Sequence, residues 1–228
     1  MEDKIKNENL LRILKLKLCT TSVKNYTEIE DININNKNFL GNNLEIDLKE
    51  IVKLKNLKAI SLKFFEINDE AIESLNNLPK LKKVEFYMCD FKTIKNINNN
   101  ITDITVYCCK DFKKEVLTDC INIENLEMTN SGLVDINEIN MFNKLRVLKI
   151  RDCSLISLPR ISTMNNLEYI YINNVDIQYD FDISQMKKLK LISLNGSKIS
   201  DKDLYIQRLH EQNAHIQIEC RENDLPIG

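Results

Sequence analysis

The chain has 228 residues, a mass of 26.7 kDa and a formal net charge of −2, with 43% hydrophobic and 29% charged residues. That length suits one large domain or an elongated array, and the charge argues against a general nucleic-acid binder, which usually has a clear basic excess. The apolar run at the N-terminus is broken by Arg12, Lys15 and Lys17, so it matches neither an export signal nor a membrane span. Because seven cysteines cannot all pair within one chain, we expect a cytoplasmic protein with reduced thiols.

A repeated pattern begins at residue 11. Each unit places apolar residues at its positions 1, 4 and 6, as in LKKVEFYMC at 81–89 and LRVLKIRDC at 145–153. Among the thirty such sites only Asn213 is not apolar, positions 5 and 7 hold no aliphatic residue, and four consecutive units are 22 residues long. The units start at Leu11, Ile29, Leu57, Leu81, Ile101, Ile123, Leu145, Leu167, Leu189 and, more weakly, Asn213.

Alternation around positions 4 to 7 predicts one short, half-buried strand in each unit. The longer units have room for a helix on the return path, as in NDEAIESLNNL after Ile67, and the shorter units for extended or 3₁₀ turns. Residues 1–10 are expected to form a cap with a short helix, and residues 11–199 the repeats. Residues 200–221 are expected to form a capping helix, with Leu204, Ile206 and Leu209 inward, and a last strand; residues 222–228 read as a tail.

The units LRVLKIRDCSL and LKKVEFYMCDF resemble the leucine-rich repeat, L-x-x-L-x-L-x-x-N/C-x-L. The 22-residue units are similar to the short classes in bacterial internalin-like proteins and in phosphatase regulators. The resemblance implies one α/β domain over residues 1–228. It would be a horseshoe-shaped solenoid with a parallel β-sheet on the concave face and short helices or 3₁₀ turns on the convex face. The chain departs from the family at position 9, where no unit has asparagine.

Four of the seven cysteines occupy position 9: Cys19, Cys89, Cys109 and Cys153. The family's asparagine bonds the turn backbone there, and cysteine is small, readily buried and a weak donor. We therefore interpret these cysteines as packing residues, in preference to zinc ligands or redox sensors. Cys108, at position 8, is expected to be the exposed and reactive one.

No sequence motif indicates catalysis. Glycine-rich phosphate loops, zinc-protease motifs and nucleophile elbows are all absent, and only four glycines are present. The two histidines, His210 and His215, lie near the C-terminus without a partner constellation. We expect a protein that is not an enzyme, with no catalytic residues, no metal and no cofactor.

The outward positions 3, 5 and 7 predict a partner-binding surface in the middle of the concave face. Tyrosine and arginine are enriched at binding hot spots, although tyrosine also simply favours strands and Glu127 with Lys149 could be an ordinary cross-strand pair. The predicted binding residues are Lys63, Glu85, Tyr87, Tyr107, Glu127, Lys149, Arg151, Tyr169 and Tyr171.

These residues favour a non-catalytic protein–protein interaction module, a monomer that acts as an inhibitor or adaptor on a protein partner and does not bind membranes. One alternative is nucleic-acid or nucleoprotein binding, with lysines on phosphates and tyrosines on bases; the carboxylates on the same face argue against it. Another is a structural protein that self-associates through an end strand.

Overall fold

The computed structural model of the chain describes residues 4–19, 26–93, 95–98, 100–131, 133–135, 141–157, 161–177 and 182–221. These residues fall into two compact units, Met1–Cys120 and Ile121–Gly228. The predicted tail at 222–228 lies outside the described residues, and the single domain over 1–228 stays a prediction. Within the described ranges, the helices are too short or too polar to cross a membrane.

The first unit contains four parallel strands paired in the order β1-β2-β4-β6. A two-stranded ladder, β3 with β5, follows the ends of β2 and β4. The elements in chain order are α1 (Glu8–Lys17), β1 (Asp31–Asn35), a 3₁₀ helix (Leu48–Lys53), β2 (Ala59–Lys63), β3 (Glu66–Ile67), α2 (Asp69–Asn76), β4 (Lys83–Tyr87), β5 (Asp90–Phe91), β6 (Asp103–Tyr107) and a 3₁₀ helix (Lys114–Leu117).

The second unit contains five parallel strands in the order β7-β9-β11-β13-β15. Two small ladders, β8 with β10 and β12 with β14, follow the strands. The elements are β7 (Asn125–Thr129), β8 (Leu133–Asp135), β9 (Val147–Arg151), β10 (Ser154–Ser157), a 3₁₀ helix (Ile161–Thr163), β11 (Tyr169–Asn173), β12 (Asp176–Ile177), β13 (Leu191–Ser193), β14 (Lys198–Ile199), α3 (Lys202–Gln212) and β15 (Gln217–Glu219).

The apolar positions 4 and 6 form the core of both units. In β2, β4 and β6 these residues are at most 2% exposed, and the same holds for Leu148 and Ile150 in β9. Each buried aliphatic side chain of this kind contributes about 1.5–3 kcal/mol. The repeat pattern, the parallel strands and the predicted helix after Ile67 are confirmed, so the chain has the α/β leucine-rich-repeat fold.

The strand predicted for the unit at Leu11 is wrong, because this segment is the helix α1. The Asn7 side chain caps it by accepting the Leu10 N–H at 2.9 Å. Leu10 and Leu14, four residues apart, are buried on one helix face, while Leu16, a predicted core residue, is 71% exposed. The helix of the N-terminal cap therefore runs further along the chain than the predicted cap, residues 1–10.

Two further apolar side chains are exposed, and one of them, Leu204, is predicted to lie inward. Phe39 is 97% exposed, because residues 37–43 turn back on themselves through the Lys37–Asn43 bridge. In α3 the buried residues are Tyr205 and Leu209, whereas Leu204 is 44% exposed. The helix itself and the strand β15 after it are confirmed.

The backbone at position 8 is left-handed in seven successive units. A positive φ suits glycine and asparagine, and costs other L-residues about 1–2 kcal/mol. Every unit from Leu57 to Leu189 therefore turns at the same point after its strand. The residues are Phe64, Met88, Cys108, Asn130, Asp152, Asn174 and Gly196, with φ between 46° and 69°.

The position-9 side chains form a hydrogen-bonded ladder just past the strands. Cys109 Sγ lies 3.6 Å from the Phe86 carbonyl oxygen in the preceding unit and accepts the Cys89 N–H at 3.3 Å. Ser197 repeats both contacts: its hydroxyl donates to the Ile172 carbonyl at 2.8 Å and accepts the N–H of Val175, in the preceding unit, at 3.2 Å. Cysteine and serine thus perform the bonding expected of the family's asparagine.

Burial of these thiols supports the packing interpretation. Cys89, Cys109 and Cys153 are at most 7% exposed. The contact with Cys109, together with burial, raises the pKa of the Cys89 thiol, and burial raises the pKa of the Cys153 thiol. Cys19, which follows a helix, is exposed, so the packing interpretation is wrong for this residue. Cys108 is half-buried, so the expectation that it is the exposed cysteine is also wrong.

Candidate functional site

Both units present one face of their main strands away from the core. We call it the open face; it carries positions 3, 5 and 7 of each unit. In the first unit, four of the predicted binding residues lie on it in register, and we call them the first tyrosine patch. They are Lys63, Glu85, Tyr87 and Tyr107.

The first tyrosine patch is held together by aromatic and cation–π contacts. The rings of Tyr87 and Tyr107 lie 5.7 Å apart at an angle of 39°, and Lys63 Nζ stands 4.9 Å from the centre of the Tyr87 ring. The Tyr87 hydroxyl lies 3.5 Å from a Glu85 carboxylate oxygen. Tyr107, 38% exposed, is the most open of the four. All four residues project from paired strands, so their positions are largely fixed before any partner binds.

A pocket of about 410 Å³ opens beside this patch in the same unit. Its floor is β2, where Ala59 and Ser61 are short, and Ile13 from α1 borders it. Two ion pairs contribute to its lining, Lys17 with Asp31 and Lys83 with Glu85, the latter at 2.7 Å. Its lining residues are Ile13, Lys17, Asp31, Ile32, Asn33, Ala59, Ile60, Ser61, Lys83 and Glu85.

Ser61 lines this pocket. Among the buried side chains in the described part of the chain, it is the one whose oxygen has no hydrogen-bond partner. The residue is 8% exposed. An unpaired buried hydroxyl costs about 1–3 kcal/mol. Ser193, at the same position of its own unit, is 1% exposed but lies 3.1 Å from Asn173 Oδ1 and 3.0 Å from Asn195 Nδ2. The two serines therefore occupy equivalent positions, but only Ser193 has hydrogen-bond partners for its hydroxyl.

The second unit carries the remaining predicted residues on its own open face, and we call them the second tyrosine patch. Lys149 Nζ lies 3.3 Å from a Glu127 carboxylate oxygen and 5.8 Å from the centre of the Tyr171 ring. Arg151 is exposed, and its guanidinium contacts no carboxylate among the described residues. The patch consists of Glu127, Lys149, Arg151, Tyr169 and Tyr171.

A charged row at position 2 borders the second patch. Glu168 accepts from Arg146 Nε at 2.7 Å and from Lys190 Nζ at 2.6 Å. These two cations hold the pKa of Glu168 at about 2. Lys190 also stands 5.5 Å from the centre of the Tyr169 ring, so the row fixes one side of the patch.

The charges near the two patches are largely compensated. Lys83, Lys149 and Lys190 each have a carboxylate within 3.3 Å. Within the described ranges, no three histidine, cysteine or acidic side chains are grouped to hold a metal ion. Each unit therefore offers a surface made of aromatic and paired charged side chains.

Sequence reasoning missed three features of this region. The first is the position-2 row, whose signs alternate from Arg146 to Glu168 to Lys190 and could have been found by reading that column. The second is the pocket, whose wall comes from a helix predicted as a strand. The third is the unsatisfied hydroxyl of Ser61, for which the sequence holds no signal, because a hydrogen bond depends on side-chain placement.

Comparison with known proteins agrees with this fold. No model of a protein family matches the sequence, and no curated protein gives a significant match. Among solved structures, internalin C2 of Listeria monocytogenes is similar, with a TM-score of 0.61 and 16% identity over 94% of this chain and 93% of that one.

Two further structures show the same architecture. An internalin-like protein of Listeria monocytogenes has a TM-score of 0.60 and 12% identity over 83% of this chain and 61% of that one. A leucine-rich-repeat protein of Leptospira interrogans has a TM-score of 0.54 and 18% identity over 90% of this chain and 58% of that one. The chain thus has the leucine-rich-repeat fold, and in fold it resembles internalin-like proteins.

Proposed function

We propose that this chain is a non-catalytic protein-interaction module that docks a protein partner on its open face. The observation that carries the proposal is the set of lysine–tyrosine contacts in which each tyrosine stands on a strand: Lys63 with Tyr87, Lys149 with Tyr171 and Lys190 with Tyr169. Aromatic and basic side chains held in place lose little entropy on binding, and tyrosine is a frequent hot-spot residue.

Charge compensation favours a protein over a nucleic acid as the partner. Phosphate binding needs lysines free to replace counterions, whereas Lys83 and Lys149 already pair with Glu85 and Glu127. Binding to a protein through these patches would depend weakly on salt. A steep loss of binding with rising salt would instead support the nucleic-acid alternative.

We further propose that the chain works as a monomer in a reducing compartment such as the cytoplasm. The thiols of Cys109 and Cys153 lie 3.6 Å from carbonyl oxygens in the preceding units, and only a reduced cysteine donates such a bond. As an inhibitor the module would cover one partner; as an adaptor it would join two. The mass of the captured complex separates these two modes.

The test is affinity capture from the source organism's lysate with matched variants. One variant carries Tyr87→Ala and Tyr107→Ala, a second carries Arg151→Ala and Tyr171→Ala, and a third, the control, carries Lys55→Ala and Lys187→Ala at exposed turns. Melting curves confirm that each variant folds. We expect a partner kept by the wild type and the control to be lost, or weakened at least tenfold, in one or both patch variants. Equal capture by all four proteins would refute docking on the open face.

A further inference from the structure

The pocket over β2 shares Glu85 with the first tyrosine patch, but its other lining residues lie outside that patch. Ala59 and Ser61 lower the surface of the open face there, and Ile13 adds an apolar side from α1. The volume of about 410 Å³ lies in the usual range for ligand sites. The pocket is therefore large enough to take one bulky side chain from outside.

The unsatisfied hydroxyl of Ser61 indicates the kind of group that the pocket lacks. Its oxygen has no partner in the described part of the chain, although the residue is 92% buried (8% exposed). At the equivalent place in the second unit, Ser193 has both Asn173 and Asn195 within hydrogen-bond distance. A ligand with a hydroxyl at its tip would supply the missing bond.

The charged groups of the lining indicate that this ligand is neutral. Lys17 already pairs with Asp31, and Lys83 pairs with Glu85 at 2.7 Å. A charged ligand would compete with one of these pairs, whereas an aromatic ring can meet a paired lysine through its face. Elsewhere on the open face this protein itself sets lysines against tyrosine rings, as Lys63 does against Tyr87.

We propose that the pocket binds the phenol side chain of a tyrosine presented by the protein partner. The ring packs against Ala59 and Ile13. Rotation of Ser61 about its Cα–Cβ bond turns Oγ, which is buried in the unliganded chain, toward the pocket, where the phenol hydroxyl bonds to it. This inference deepens the docking function proposed above and rests on it for the source of the tyrosine. It identifies the partner by chemistry: the docking segment carries an exposed tyrosine.

The experiment follows backbone amide signals of the full chain by NMR during titration with p-cresol, with toluene as the matched probe without a hydroxyl. We expect p-cresol to shift the signals of Ala59 and Ser61 with a dissociation constant on the order of millimolar, the range for so small a ligand. Toluene is expected to bind about five- to tenfold more weakly, because it cannot bond Ser61. N-acetyl-tyrosine amide should shift the same signals as p-cresol, since it presents the phenol as a protein would.

Two variants make the result specific. Ser61→Ala should reduce p-cresol binding to the level of toluene without lowering the melting temperature, because its hydroxyl holds nothing in the fold. Ser193→Ala, the matched control, should leave p-cresol binding unchanged. Absence of shifts at Ala59 and Ser61 up to the solubility limit of p-cresol would overturn the inference, as would equal binding of p-cresol and toluene.

The p-cresol titration and the capture experiment test the two proposals separately. Loss of partner capture in the Tyr87→Ala and Tyr107→Ala variant, with no response to p-cresol, would refute the phenol site and leave the docking function standing. A p-cresol response at Ser61 with partner capture that ignores the patches would refute docking through the two tyrosine patches. In that case the pocket would be a phenol site that works without them.

Discussion

The position-9 ladder predicts that Cys109→Ala destabilises the first unit strongly for so small a change. Cys109 is fully buried, and its sulfur accepts the Cys89 N–H at 3.3 Å. The side chain also lies within 3.6 Å of two carbonyl oxygens, those of Phe86 and Tyr107. Alanine removes the sulfur and leaves a buried N–H with nothing to bond.

The expected loss has two parts. The missing sulfur forfeits about 1 kcal/mol of burial and packing, comparable to a buried methylene. The unpaired Cys89 N–H costs a further 1–3 kcal/mol, roughly. Cys109→Ala should therefore lower the free energy of unfolding by about 2–4 kcal/mol. Cys109→Ser should lose about 1 kcal/mol or less, because Ser197 shows that a hydroxyl makes both ladder contacts.

Urea denaturation followed by far-UV circular dichroism measures these changes, since the chain has no tryptophan for fluorescence. Cys19→Ala is the control: Cys19 is exposed and should shift the unfolding midpoint very little. Equal, small losses in the free energy of unfolding for Cys109→Ala and Cys109→Ser would refute the ladder and would show that the cysteine only fills space.

Four further outcomes are expected. Met88→Asn should stabilise the chain by about 0.5–1 kcal/mol in urea denaturation, because Met88 has φ of 50° and asparagine tolerates this conformation. Gly196→Ala should destabilise the chain by about 1 kcal/mol or more, because alanine does not tolerate the positive φ that glycine adopts there. Ser193→Ala should cost about 1 kcal/mol, because its hydroxyl has partners. Ser61→Ala should instead stabilise the chain by about 1 kcal/mol or more, because it removes an unpaired buried hydroxyl. Asn7→Ala should cost about 1 kcal/mol through loss of the α1 cap. The pKa of Glu168 is lowered to about 2, so the stability that Glu168 contributes is present above the unfolded pKa near 4.3 and is lost as pH falls toward 2. In an acid titration, Glu168→Gln should not show that loss of stability. A profile equal to that of the wild type would contradict the Arg146–Glu168–Lys190 row.

Much of the fold could be predicted because burial on one side of a strand imposes a period of two on the sequence. Leu148 and Ile150 lie inward, and Lys149 between them lies outward, as the alternation requires. The same logic failed at Leu11–Lys17. The leucines there fit the repeat pattern and also the four-residue spacing of a helix. Asn7 caps the N-terminus of α1, which favours the helix over the strand.

The outward orientation of the candidate site residues could be predicted from the sequence, but their contacts could not. Outward positions could be read from the strand period, so the tyrosines and lysines fall on the open face as expected. Which lysine meets which ring depends on side-chain rotamers across strands, as with Lys149 and Tyr171. The pocket depends on the placement of α1, which local periodicity does not encode.

Hydroxyl-radical labelling of the chain with and without a captured partner tests docking on the open face most directly. Tyr107 and Tyr171 should lose reactivity when the partner is bound. Phe39, 97% exposed on the 37–43 loop, serves as the internal control and should keep its reactivity. Protection of Phe39 with unchanged reactivity of both tyrosines would place the partner elsewhere and contradict the docking function.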